Sequence, residues 1–352
     1  MWRNPVIEFR KVRASAESPG EENQMIRSAL ISLAASFMVI AVAPITAFAA
    51  SGKLTLYTSQ PDKIAAETVA AFNKIEPAVQ VETFRSGTTE VMNKLQAEIV
   101  AGDPRADVLF IADAVTMEQL KADNRLLAFP EADVVALPAA AYDQDFTYFG
   151  SKLITTGIIY NKSARAPTSW KDLVAPDAKG QVILPSPLYS GAAAIHMAAL
   201  SSDALLGPSY YAALAANGAI AARGNGAVQT AVAGGQKMYG VIVEFMALNA
   251  KEKGSPVDFV FPREGVSAVT EPVAVLKTTK NPEAAKAFVT FILSKAGQEL
   301  AAKQGFLPAR KDVAPPPGFP AVGDLNIIPV DLKSAASQDE AMKKKFAALF
   351  GG

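Results

Sequence analysis

Four short segments carry the residue types that could hold a ligand: Thr58-Ser59-Gln60, Ser86-Gly87-Thr88-Thr89, Tyr189-Ser190-Gly191-Ala192 and Gly224-Asn225-Gly226. Each precedes a stretch with helical periodicity. Each therefore offers unpaired backbone N–H groups beside small or hydroxyl side chains, an arrangement that receives an anion without a lysine or arginine. A single such loop is accounted for by ordinary N-capping. Four together, three of them with glycine, leave capping and anion binding equally open on the residues alone. Asp113 closes the apolar run ADVLFIAD and Glu244 closes YGVIVE, so both carboxylates are expected at strand ends, where a ligand amine or hydroxyl could meet them. Glu271, before Pro272, reads as a hinge or capping acid, and Glu244 is the preferred ligand contact.

The elements needed to position these loops are legible. Lys53 to Thr58 alternates like a strand, and Asp62 to Asn73 has helical spacing. Strand Val79–Phe84, helix Thr89–Val100, strand Ala106–Ala112 and helix Thr116–Ala122 repeat the pattern. Strand and helix in alternation predict open, mostly parallel sheets flanked by helices, with ligands at the carboxyl ends of the strands. Tyr148 to Asn161 reads as a crossing to a second α/β set, which contains strand Gln181–Pro185, helices after Ser190, at Tyr210–Asn217 and at Ala227–Ala233, strand Tyr239–Val243 and helix Phe245–Glu252. Glu271 to Lys277 reads as the return crossing. Pro282 to Lys303 reads as one long helix capped by Asn281, and Gln338 to Phe350 as a terminal helix. The fold class expected is α/β with two lobes. The first lobe takes residues 50–153 plus 264–305, and the second 154–263 plus 306–352.

The bulk numbers narrow the functions. Lysine plus arginine equals aspartate plus glutamate at 34 each in 352 residues, which leaves no general field for nucleic acid. There is no cysteine, hence no disulfide, thiolate chemistry or lipidated cysteine. Residues 1–49 read as a signal-peptide region: Met25-Ile26-Arg27 leads an apolar run that ends in Ala47-Phe48-Ala49, with Met25 the expected start. Pro44 and the missing stop-transfer flank count against a membrane anchor. A periplasmic, unlipidated, monomeric protein is expected. The chain lacks G-x-S-x-G, P-loop, G-x-G-x-x-G and H-E-x-x-H patterns. Ser190 and the lone His196 lie six apart on one helix and face different ways, so no nucleophile–base pair forms. No enzyme, cofactor or metal site is expected, and Tyr210-Tyr211 and His196 are read as packing.

Three stretches, TSWKDLVAPDAKGQVILPSPLYSGAAA, GNGAVQTAVAGGQ and KNPEAAKAFVTFILSKAGQELAAKQGFLPAR, resemble the extracellular solute-binding proteins of ABC importers, the family that includes periplasmic ferric binders. The resemblance implies two lobes that close on a small ligand, with an ABC permease and ATPase as partners. It also implies a phosphate-type anion held at Ser190, Gly191, Ala192 and Asn225. The adjacent tyrosines that hold iron in the ferric binders are Glu244 and Phe245 here, and their histidine position falls near Pro61. A hard ferric ion wants anionic oxygen ligands, so the resemblance points to a phosphorylated or phosphonate-bearing molecule, such as 2-aminoethylphosphonate or a sugar phosphate. A ferric binder using Glu244, Asp113 and a synergistic anion is the alternative, and a sensor module or enzyme on this fold a third.

Overall fold

The computed structural model describes residues 50–320 and 324–351; the expected signal peptide lies outside them. Two mixed sheets form two lobes. The first contains β1 (Gly52–Thr58), β2 (Val79–Arg85), β3 (Val108–Phe110), and, arriving later in the chain, β4 (Phe149–Gly150) and β11 (Pro272–Val275), in the order β2-β1-β3-β11-β4. The helices α1 (Asp62–Ile75), α2 (Thr88–Val100) and α3 (Ala114–Ala122) each follow one of its parallel strands. The strand period of two decides the packing. Val108 and Phe110 join Leu54, Leu56, Phe72 and Phe288 in one core, while Leu109 and Ile111 join Tyr57, Val91 and Leu95 in another on the opposite face.

The second sheet is built on β5 (Lys152–Asn161), β6 (Val182–Pro185), β7 (Ile220–Ala222), β8 (Tyr239–Val243), β9 (Val257–Val260), β10 (Ser267–Val269) and β12 (Leu307–Pro308). Its helices are α4 (Gly191–Ser202), α5 (Tyr210–Ala216), α6 (Asn225–Ala233) and α7 (Glu244–Glu252). Pairing is parallel around β1 and β6 and antiparallel wherever β5, β10 or β11 takes part. Chain that crosses to a second lobe and returns must run against its neighbours, which is why the sheets are more mixed than the alternating pattern suggests. Residues 267–269, expected with the first lobe, pair with β5 in the second sheet before the chain crosses back.

The two crossings touch. Ser151 separates β4 from β5, and Thr270-Glu271 separate β10 from β11; the Ser151 N–H donates to Thr270 O at 3.0 Å and its hydroxyl to Glu271 O at 2.9 Å. Glu271 sits at φ +35°, a left-handed conformation that a non-glycine residue adopts at a cost.

The expected long helix is two: α8 (Pro282–Leu293) and α9 (Lys295–Lys303), broken at Ser294, whose hydroxyl caps α9 by accepting from Gly297 N–H at 3.1 Å. A Cβ on Gly297 would fall 2.1 Å from Phe291 O, so the tight break depends on that glycine. The last helix, α10 (Leu332–Phe350), starts six residues earlier than expected, capped by Asp331. It buries Phe346 in the second core and packs on α3, α4 and α5, which links both lobes away from the crossings. Among the described residues no helix is long and apolar enough to cross a membrane.

Candidate functional site

Between the lobes lies a cavity of about 470 Å³. Five helices begin at its wall: Pro61-Asp62 opens α1, Gly87-Thr88 opens α2, Ser190 and Ala192 open α4, Gly224-Asn225 open α6, and Val243 with Phe245 flank the start of α7. Each helix start presents N–H groups without intrahelical partners and the positive end of the peptide dipole. Ser190 caps α4 by accepting from Ala193 N–H at 3.3 Å. Asn225 ties this wall together, its Nδ2 donating to Ser190 Oγ at 3.4 Å and its Oδ1 accepting from Val243 N–H at 3.2 Å.

Of the residues singled out from the sequence, Ser59, Ser86, Gly87, Thr88, Ser190, Ala192 and Asn225 line the cavity. Gly191 lies just behind it. A Cβ there would fall 2.6 Å from Ala112 O, 2.9 Å from Asp113 Cβ and 3.0 Å from Thr88 Cγ2, all on the other lobe. Gly87 likewise stands where a Cβ would fall 2.7 Å from Tyr189 O. Ser190 and Ala192, on either side of Gly191, thus face the cavity, while Gly87 and Gly191 let the lobes meet backbone to backbone.

The others lie elsewhere. Thr89 is in the first turn of α2 and off the wall. Asp113 is the N-cap of α3, accepting from Thr116 N–H and hydroxyl, and burial raises its pKa. Glu244 is fully buried behind the wall, where Oε2 accepts from Thr155 N–H at 2.6 Å and Oε1 has no partner. Burial pushes its pKa up to about 8, against the pull of nearby backbone N–H groups, so it is a neutral acid at pH 7. The expected contact from Glu244 or Asp113 to a ligand is corrected on this ground: neither carboxylate reaches the cavity. Gln60 is buried as well, its Nε2 donating to Glu271 Oε2 at 3.2 Å and its Oε1 unpartnered.

Four side chains at this site were not singled out from the sequence: Arg85, Arg223, Glu90 and Lys152. Arg85 and Arg223 line the cavity, each one residue before an expected loop. Arg223 pairs across the cleft with Glu90, which Ser86 also contacts, and lies over the Tyr189 ring at 5.4 Å. The hydrogen bond from Ser86, followed by that from Arg223, holds the Glu90 carboxyl below its ordinary value. Arg85 Nε donates to Gln60 O at 2.7 Å, with Asp62 at 3.9 Å. The third carboxylate on the wall is Glu271, paired at 2.7 Å with buried Lys152. Burial pushes the Lys152 ammonium down in pKa, and the adjacent carboxylate opposes this. Phe245, Met246, Ile154 and Val243 form an apolar side of the cavity, with Phe245 packed on Phe306 at 4.1 Å. His196 is packed as expected: buried, on the Trp170 ring at 4.6 Å, its Nδ1 3.0 Å from Ser267 Oγ and its pKa pushed down to about 3 by burial.

Two lobes with a cavity between them suit the capture of a solute, and the chain belongs to the bacterial extracellular solute-binding protein family, which it matches over residues 67–325. As a member of that family it is a solute-capturing protein and not an enzyme. Its fold is similar to that of AfuA, a periplasmic binding protein from Actinobacillus pleuropneumoniae solved with exogenous fructose-6-phosphate bound (TM-score 0.78, 22% identity, 85% of this chain and 98% of that chain covered). It is equally similar in kind to iron-bound HitA from Pseudomonas aeruginosa (TM-score 0.73, 23% identity, 84% and 99% covered). An uncharacterized protein of Haemophilus influenzae is 27% identical over 281 residues, 73% of this chain and 77% of that protein.

Proposed function

We propose that the chain captures a small organic phosphoryl anion, a phosphate ester or phosphonate, and delivers it to its permease. The observation that carries this reading is the meeting of five helix starts from both lobes at one cavity that also holds Arg85 and Arg223. Phosphoryl oxygens fit such a setting twice over. Backbone N–H groups at helix starts donate along the dipole, and a guanidinium offers two parallel N–H groups to a tetrahedral oxyanion. Ser86, Thr88, Ser190 and Asn225 add short-range donors. The apolar side at Phe245, Met246 and Ile154 suits an organic body rather than inorganic phosphate alone.

The wall is a poor setting for ferric ion. The tyrosine-like position next to Glu244 holds Phe245, and the wall's carboxylates are engaged: Glu90 by Arg223 and Glu271 by Lys152, with Asp62 near Arg85. AfuA, a relative of the same fold, was solved with a phosphate ester bound, which supports this reading. In this reading the mature protein starts after Ala49, is not lipidated and works as a monomer.

Thermal melting of the mature protein with hexose phosphates, 2-aminoethylphosphonate, inorganic phosphate and ferric citrate tests the reading. A ligand at a hundred times its dissociation constant adds about 2.7 kcal/mol of stability. Stabilisation by phosphoryl compounds, lost in Arg223→Ala, supports the proposal. Stabilisation by ferric citrate alone overturns it.

A further inference from the structure

The charged side chains on the cavity wall are Asp62, Arg85, Glu90, Arg223 and Glu271. Among the three acids, Glu90 is the one bonded to two of the donors that the phosphoryl reading gives to the anion. Its Oε2 accepts from Ser86 Oγ on its own lobe, and its Oε1 from the Arg223 guanidinium across the cleft. Asp62 stands at the rim, its side chain 86% exposed and 3.9 Å from Arg85, and Glu271 is paired with Lys152 at 2.7 Å. One turn further along α2, Lys94 is committed to Glu98 at 2.6 Å and does not face Glu90. Arg223 is itself held over the Tyr189 ring, so its guanidinium stays at the cleft. The bonds from Ser86 and then Arg223 keep the Glu90 carboxyl below its ordinary value. It is therefore ionised at neutral pH and can only accept hydrogen bonds.

Resting on the phosphoryl reading, we propose that Glu90 reads a proton on the ligand: the site takes a singly protonated phosphoryl group, whose P–OH donates to Glu90, and rejects sulfate esters and sulfonates of the same shape. An oxyanion that takes Arg223 and the start of α2 is set beside this carboxylate. Oxygen lone pairs then face each other, and Arg223 is shared between two anions. A P–OH turns that clash into a charge-assisted hydrogen bond, shorter and stronger than a neutral one. An unprotonated oxygen in the same place leaves like charges opposed, in a cleft where water screens them poorly. Phosphate monoesters lose their second proton at about pH 6, so the protonated form is accessible near neutrality. Sulfate esters and sulfonates carry no such proton. The proton arrives with the ligand from its own equilibrium in water, and the protein gives none up. Glu90 is thus the specificity-determining contact for the oxyanion itself, whatever organic body it carries.

The test is calorimetric titration of the mature protein, wild type and Glu90→Gln, at pH 6, 7, 8 and 9 with matched pairs: ethyl phosphate and ethyl sulfate, glucose 6-phosphate and glucose 6-sulfate, 2-aminoethylphosphonate and 2-aminoethanesulfonate. In the wild type, the phosphoryl member of any pair that binds should be tighter than its sulfur partner by about tenfold or more at pH 6, the worth of a hydrogen bond to a charged group. Its affinity should then fall by up to about tenfold per pH unit above the probe's own second ionisation, while the sulfur partner shows no such fall. Glu244, which titrates at about 8 behind the wall, acts on both members alike, so their ratio reports Glu90. Glu90→Gln keeps the shape of the side chain and can donate from its amide, so it should bring the two members together and remove the pH dependence of their ratio. A loss of structure alone would weaken both and leave the ratio unchanged. Equal binding of both members by the wild type, a ratio that does not vary with pH, or an unchanged ratio in Glu90→Gln overturns the proposal while leaving the phosphoryl reading intact. If none of the phosphoryl probes binds, the phosphoryl reading fails and this inference with it.

Discussion

Replacing Glu244 by glutamine should stabilise the protein, and by an amount that depends on pH in a defined way. The carboxyl is fully buried and titrates at about 8 in the folded chain against an ordinary 4.5. Below pH 4.5 both folded and unfolded chains hold the proton and the residue costs nothing by titration. Between 4.5 and 8 the unfolded chain releases the proton and the folded chain keeps it. Stability then falls by about 1.4 kcal/mol per pH unit, and above 8 the loss levels off. At pH 7 the accumulated loss is about 3 kcal/mol. Glutamine cannot ionise, and its amide oxygen can accept from Thr155 N–H as the carboxyl does at 2.6 Å. Glu244→Gln should therefore match the wild type near pH 4.5 and exceed it by about 3 kcal/mol at pH 7, roughly 5 °C or more in melting temperature. Urea unfolding of both proteins at pH 4.5, 6, 7 and 8 measures this directly. Ligand affinity should not change, because Glu244 lies off the cavity wall. A pH-independent difference, or a loss of stability at pH 8, would refute the assignment of Glu244 as a buried neutral acid; a loss of affinity would restore it as a ligand contact.

Three further outcomes follow from the cleft. Gly191→Ala places a methyl 2.6 Å from Ala112 O and 2.9 Å from Asp113 Cβ, so the lobes cannot meet; affinity should fall tenfold or more in calorimetry while unfolding stability of the open protein changes little. Arg223→Ala removes a cross-cleft ion pair that is 70% exposed on the arginine side, which contributes no more than about 1 kcal/mol to stability. Its loss of phosphoryl binding should therefore exceed any change in melting temperature of the free protein, as paired titration and melting would show. Asn225→Ala deletes the link between Ser190 and Val243, costing about 1 kcal/mol in urea unfolding along with weaker binding.

How far the site was legible depended on whether its signal was local. Helix starts announce themselves in a few consecutive residues, which is why the loops at Ser86, Ser190 and Asn225 were found and meet at the cavity. The crossings were legible as long apolar β-branched runs. Arg85 and Arg223 were passed over because a lone arginine before a turn looks like any solvent-facing charge; their position immediately before Ser86 and Gly224 was the available clue. That Glu271 lies on the cavity wall and Glu244 behind it, the reverse of the expectation, has a different reason. Both end or adjoin strands, and which one faces the cleft depends on a crossing geometry and on Lys152, 119 positions away from Glu271 in sequence, that no local pattern encodes. The break at Ser294 was hidden because apolar periodicity runs through α8 and α9 with one residue between them.

The most direct measurement is a crystal structure of the mature protein with a phosphoryl compound that stabilises it. The account predicts the phosphorus between the starts of α2, α4 and α6, with its oxygens within hydrogen-bond distance of Thr88, Ser190 or Ala192, and Asn225, and with Arg223 turned from Glu90 toward them. Phosphorus bound outside this cavity, or a metal ion held by the cleft carboxylates with no phosphoryl group present, would contradict it.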